Sequence, residues 1–576
     1  MEEPKAVDDI PILLALLIQM RIPEIIDNLY QPHGHRKGLS VGWLITIFLT
    51  YIISTGQHTM VHVREWVSKR QNILERLTGQ EISETDFTDD RLADGLRYVS
   101  NDKLWQDLEE DVSQQTIKVY DLDVEIVRLD ATVGACYHDP EKCDLFRKGH
   151  KNDNQLKIMM GTLDPLGMPI ASDVVPGNKA DDPLYIPAYE RIHQTLGKSG
   201  LLYVGDTKMS ALETRATIVL GQDNYLMPLS MTGEVPVLLA EQLSLLANGQ
   251  IELTAVYRPE KDDEEPELLA EGFEIERQQV AVIDGKRVEW TEKLYIVLSP
   301  TYAKVQTKAF DKRIDQAEKK LKGLTPPPGR GKRQFKDETE LRLEIDKVLS
   351  RYQAENYFDI TLERQETTKE IRAYGDKPAR TETTVRYQIL LTRKQEAIEQ
   401  DRLLLGWRIY ATNNQNLNLT TVTLTYRQQI VAEKSFAYLK GKVLAMLPLY
   451  VQVSEHVKGM VHLLTLALRV MIILEFLVRQ SLAEQNDQLS GIYAGNPKRK
   501  TAKPTAHLLL LAFADIYLQT LYLDGQVVYQ HITPLNPVQR RILELLNLPT
   551  SLYEDLIKPD YSLPLPHFQP SHIDSG

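Results

Sequence analysis

Cysteine is almost absent, with only Cys136 and Cys143 in a chain of 576 residues. Two thiols exclude a disulfide framework and point to a reducing, cytoplasmic compartment. An excess of positive charge is missing as well. Lys and Arg number 67 against 80 Asp and Glu, a formal net charge of -13. That excludes a simple polybasic DNA-binding module, because affinity for a duplex comes largely from cations that neutralise phosphates. The first residues, MEEPKAVDDI, lack the basic start of a signal peptide. Long uncharged runs are scarce too. GLSVGWLITIFLTYIISTGQ, residues 38–57, carries no charge over nearly the ~20 residues that span a bilayer. Its glycines, its Ser and Thr content and its polar flanks fit a buried core helix better than a membrane span. No internal repeat is visible.

What is present divides the chain into several packed units, as its length requires. Residues 1–120 show helical periodicity, broken at PHGHRKG and TGQ, and form the expected helical N-terminal domain. From residue 121 the pattern turns to short strands: VEIVRLD, NQLKIMMGTLD with an Asp-Pro-Leu-Gly turn, MPIASDVVPGN, and LLYVGD after a helix near residues 183–196. A meander, a helix and a strand ending in an acid imply an α/β unit with a mixed sheet, running to residue 230. Residues 231–404 interrupt it with charged, loop-rich sequence read as an inserted domain. Residues 405–485 resume it with the strand GWRIYATN, a helix over about 420–440 and a long apolar helix from 454, and residues 486–576 form a C-terminal helical region. Charge is unevenly placed. Residues 260–276 hold nine acids, whereas residues 308–336 hold ten bases against three acids, and NPKRKTAKP at 496–504 is a second basic cluster. Each basic run reads either as a solvated loop or as a DNA contact.

Three acids stand out. Asp130 closes VEIVRLD before ATVG, and Asp206 closes LLYVGD in the same way. An acid at the end of a buried strand is costly unless it is paired or binds a cation, although either one alone also reads as a turn or helix-capping residue. Glu433 lies in TYRQQIVAEKSFAYLKG, where Tyr426, Glu433 and Lys440 recur every seven residues and fall on nearly one helical face. Clustered carboxylates suit phosphodiester transfer by two divalent metals, one activating the attacking oxygen and one stabilising the leaving oxygen. Magnesium, an oxygen-seeking ion that keeps its waters, needs only two or three of them.

In LDATVG, MPIASDVVPGNKADD, VGDTKMS and the Y-x6-E-x6-K helix followed by LPLYV, the chain resembles the DDE transposases of bacterial insertion sequences. The similarity is to the IS-four-like group, which has a large insertion before the catalytic Glu. DDRLADGLRYVSNDKLW, PTAHLLLLAFADIYL and LNPVQRRILELLNLP extend it over most of the chain. The resemblance implies a ribonuclease-H-like mixed-sheet core interrupted by an insertion domain, with Asp130, Asp206 and Glu433 as catalytic ligands of two Mg2+ ions, Mn2+ being able to substitute. It implies DNA contacts by Tyr426 and Lys440 near the scissile phosphate, and double-stranded DNA as partner, both terminal inverted repeats and target. A homodimer on paired ends and a bacterial, nucleoid-associated setting are implied with it. The expected reaction frees a 3′-hydroxyl at the transposon end, which then attacks target DNA. Gln429 stands where the signature has Arg, a departure that removes one phosphate contact without touching the metal site, and nearby Arg427 is a further candidate DNA contact.

Two non-transposase readings compete: a transposase-derived DNA-binding protein without catalysis, and a nuclease of the same core that never joins ends. Retention of all three acids speaks against the first. Lys332 and Arg333 of the basic insertion segment are further candidate DNA contacts. A zinc site at Cys136, His138, Cys143 and His150 fails on spacing. Gly149, His150 and Lys151 read as a polar turn, with His150 lining the DNA groove as the alternative.

Overall fold

The computed structural model describes residues 4–30, 37–135, 141–148, 153–258, 267–373, 378–524, 526–559 and 561–564. Cys136, His138 and His150 lie outside them, and Cys143 is buried.

The N-terminal region is helical. Helix α1 (Ile10–Gln19) is apolar on every side and buried from Ile10 to Leu17, and α2 (Ile22–Leu29) follows it. Helix α3 (Val41–Thr55) is the uncharged stretch seen in the sequence. Ser40 caps its start by accepting from the Trp43 N–H, and Gly56 ends it in a left-handed turn. At 15 residues, buried along most of its length, it is a core helix. Helices α4 (Asp89–Ser100) and α5 (Asp102–Tyr120) complete this layer.

A mixed sheet follows, built from β1 (Ile126–Ala135), β2 (Asn154–Leu163), β3 (Met168–Pro176), β4 (Leu202–Val204) and β5 (Asn224–Pro228). Its spatial order is β3-β2-β1-β4-β5. The first three strands pair antiparallel, while β1–β4 and β4–β5 are parallel. Helix α6 (Tyr185–Leu196) makes the crossover that a parallel neighbour requires. Beyond β5 the sheet continues through strands later in the chain: β6 (Thr254–Tyr257), β7 (Leu268–Ile283), β8 (Lys286–Leu298) and β11 (Trp407–Thr412), in the order β5-β11-β8-β7-β6.

The interrupting segment 231–404 therefore has two parts. Its first half extends the central sheet. Its second half carries a separate apolar core around Phe310, Ile314, Leu341 and Phe358, built from α7 (Pro300–Leu324), α8 (Glu338–Tyr352) and the ribbon of β9 (Phe358–Ile371) with β10 (Arg380–Arg393). This second half begins and ends between paired residues. Leu298 faces Trp407 in the β8–β11 register, and the Ser299 N–H donates to the Gly406 carbonyl at 3.2 Å.

After β11 come α9 (Leu419–Arg427), α10 (Ile430–Lys440) and α11 (Ser454–Glu484). Helix α11 is long and apolar enough to cross a membrane, but 89% of its apolar window is buried inside the protein. It packs between the N-terminal helices and β3, with the His462 ring stacked 4.1 Å from Trp105. The C-terminal region, expected to be helical, also holds a hairpin of β12 (Tyr517–Leu523) and β13 (Gln526–Ile532), because YLQTLYL and QVVYQHI are rich in aromatic and β-branched residues. The two-residue strand Lys5–Ala6 pairs with β12.

Candidate active site

Strand β1 organises the site. Side chains alternate across a strand, so Arg128, Asp130 and Thr132 share one face. Asp130 does not end its strand, as VEIVRLD-ATVG suggested, because β1 runs on to Ala135 paired with β2. What ends near Asp130 is the parallel pairing with β4, whose last partner is Arg128. The carboxylate thus stands where the neighbouring strand peels away and leaves the sheet open. Asp206 follows that departing strand and caps the short turn Thr207–Ser210, accepting from the Lys208 N–H at 2.8 Å and from the Tyr185 hydroxyl at 2.7 Å.

The expected continuous helix over 420–440 is broken at Gln428–Gln429 into α9 and α10. Both pieces are fixed against the Arg128 face of β1. Arg128 is fully buried, and it holds Asp164 of the β2–β3 turn through two hydrogen bonds of 3.0 Å. The same guanidinium donates to the Thr425 carbonyl at 3.0 Å and to Gln429 at 3.3 Å, clamping the α9–α10 junction. At the far end of α10, Lys440 donates to the Thr132 hydroxyl at 2.5 Å. Glu433, exposed on α10, lies between these two anchors as Asp130 lies between Arg128 and Thr132.

The charges of three other acids are felt at Asp130. Burial pushes the Asp130 carboxyl up to about 6, the Ala131 N–H it accepts from pulls it down, and the charges of Asp206, Glu433 and Asp181 raise it further. Burial lowers the Lys440 ammonium while Asp130 opposes that shift. Burial raises the Tyr426 hydroxyl, and the Asp206 and Asp130 charges add to the effect. Tyr426 packs 4.8 Å from the Tyr410 ring. The donor set is three carboxylates with no thiol or imidazole, which suits a hard, oxygen-seeking cation. Among the described residues, no three His, Cys, Asp or Glu side chains yet stand close enough together to grip one ion.

The remaining sequence candidates are placed differently. Arg427 is exposed, but its guanidinium donates to the Leu269 carbonyl at 2.8 Å and to Ser299 at 3.3 Å, tying α9 to the sheet extension. Lys332 is exposed in the loop after α7. Arg333 pairs with Glu340 at 2.5 Å and lies over the Phe335 ring. Neither they nor the cluster at 496–504 are among the leading influences on Asp130.

Sequence reasoning missed Asp181, held by Lys157 beside the site, and also Tyr185 and the Arg128–Asp164 pair. A charged residue two positions before Asp130 on a buried strand was a readable signal, since a buried guanidinium must find an acid.

No protein-family profile matches the chain, and no curated protein matches it. Among solved structures it is similar to a piggyBac transposase in a synaptic complex with hairpin DNA, at 8% identity and a TM-score of 0.34, over 89% of this chain and 83% of that one. A likeness at that level does not fix a family.

Proposed function

We propose that this protein is a DDE-type transposase of the IS-four-like group, which cuts DNA at transposon ends and joins them to target DNA. What supports this reading most is that Asp206, after a strand end, and Glu433, on a clamped helix, both raise the Asp130 carboxyl on its strand through their charges. The order β3-β2-β1-β4-β5, a meander followed by two parallel strands, supports a ribonuclease-H-like core.

Asp130, Asp206 and Glu433 would hold two Mg2+ ions, which when bound supply activation of the attacking oxygen and stabilisation of the leaving oxygen. The chain's own residues supply position. Arg128 and Lys440 fix α10 at both ends and so fix Glu433. Tyr185 orients Asp206 by donating to one of its oxygens. Lys440, half-buried and close enough to Asp130 to feel its charge, would offer a cation to a phosphate oxygen. Tyr426 and Lys440 are the proposed DNA contacts, and double-stranded DNA bound by a dimer on paired ends is the proposed assembly.

The test is incubation of the protein, and of its Asp206→Asn variant, with a plasmid carrying the gene's flanking DNA, in magnesium or EDTA. Magnesium-dependent cleavage and joining that vanish in the variant are expected. Cutting without joining would favour a nuclease, and binding with no cutting by either protein would favour a DNA-binding role.

A further inference from the structure

Helix α7 has two unlike faces. Phe310, Ile314, Ala317 and Leu321 form one buried stripe at helical spacing. At 3.6 residues per turn, Lys304, Lys308, Lys312 and Lys319 fall on the opposite side, and all four are exposed.

Their charge is not neutralised locally. The acids of α7 are already taken. Asp311 pairs with Arg402 at 2.6 Å, Asp315 with Arg393 at 2.8 Å, and Glu318 with both Arg393 and Lys322. Among the described residues none of the four lysines has an ion-pair partner. On a chain with a net charge of -13, a helix face of unpaired lysines is a local feature and does not reflect bulk composition. The loop beyond α7 continues it with exposed Arg330 and Lys332.

Ser299, immediately before α7, accepts from Arg427, and Arg427 adjoins Tyr426, whose hydroxyl feels Asp130 and Asp206. The start of the helix is therefore tied by a hydrogen bond to α9, the helix that carries Tyr426. From Lys304 to Lys319 the face is roughly 22 Å long at 1.5 Å per residue. A duplex presents about one phosphate per 1.7 Å of axis over that length.

We infer that the lysine face of α7 is a docking surface for the phosphate backbone of duplex DNA. It grips the flank that leads away from the scissile phosphate without reading its sequence. Its location relative to the cut rests on the transposase reading; its affinity for a duplex does not.

The experiment measures binding of the full chain to a fluorescent duplex between 50 and 200 mM salt. The Lys304→Gln, Lys308→Gln, Lys312→Gln, Lys319→Gln variant is compared with its all-Arg counterpart. Gln and Arg match Lys in helix propensity, and thermal melting confirms the fold of both. Each phosphate contact adds about 0.9 to the slope of log K against log salt, so the Gln variant should lose roughly two to four from that slope and the Arg variant should keep it. A slope within one of the unaltered protein's overturns the inference, even if that variant still cleaves DNA. Run in parallel, Asp206→Asn separates the two ideas. An unchanged slope with no cleavage leaves both standing, and an unaltered protein that never cleaves but shows the lysine-dependent slope removes the transposase reading alone.

Discussion

Arg128 is the residue on which the site's geometry depends most. It is fully buried, holds Asp164 with two hydrogen bonds, and reaches the α9–α10 junction with its remaining donors. Arg128→Met would strand a buried Asp164 carboxylate, and breaking such a pair from one side costs about 3–5 kcal/mol. Denaturant unfolding should show that loss, and adding Asp164→Leu should recover a large part of it; no recovery would mean the arginine acts through packing alone. Glu109 gives a pH-dependent counterpart. Burial pushes its carboxyl from 4.5 up to about 7, against the pull of Arg191 and Arg469. Because the folded value lies above the unfolded one, its contribution to stability is full below pH 4.5 and is lost as pH rises to about 7, by at most roughly 3 kcal/mol. Glu109→Gln stays neutral, so its melting temperature relative to the unaltered protein should climb across that window; a constant difference would refute the assignment. Asp130 and Asp206 could be singled out from the sequence because an acid beside a buried strand is locally odd, whereas Glu433, whose spacing with Tyr426 and Lys440 is that of an ordinary surface stripe, stood out through the family resemblance. The partners of Arg128 could not, since Gln429 lies about three hundred positions away and leaves no periodic trace.

At the scale of elements, helices and strands were largely readable because apolar spacing is a local property, and the breaks were not. The stretch 420–440 contains no Gly or Pro, so nothing in it announces the interruption at Gln428–Gln429, which the Arg128 clamp accompanies. Likewise the first half of the inserted segment looked like part of a foreign domain, since strand pairing across 100 residues is invisible to periodicity. Helix α10 is also held from behind. The Ser435 hydroxyl donates to the Gly167 carbonyl at 2.7 Å, and Gly167 itself sits at φ +77 in the β2–β3 turn. A Cβ there would lie 2.6 Å from the Ser435 oxygen. Gly167→Ala should therefore cost about 1–3 kcal/mol and push α10, with Glu433, off the β1 face. The expected signature is a fall in cleavage rate with DNA affinity retained. Equal loss of both would point to general unfolding.

For the whole molecule, the paired ends at Ser299 and Gly406 make the unit between them separable. Its core is distinct from the main one, and the β8–β11 ladder already closes beneath it. Replacing residues 300–405 with a two-residue Asn-Gly turn should leave a cooperatively melting protein whose DNA binding is less sensitive to salt. Aggregation of that deletion would show that the main sheet needs the unit. The two ends of the described chain behave in the opposite way. Lys5–Ala6 pairs with β12, the Tyr553 hydroxyl donates to the Asp8 carbonyl at 2.8 Å, and the main core draws on residues from Val7 to Leu556. Helix α1 draws most of its cover from α2 and α3, nearby in sequence, and a smaller part from α11 and Ser551–Glu554. This seam thus stitches together segments more than five hundred positions apart, and a chain nicked between them would still be held as one body.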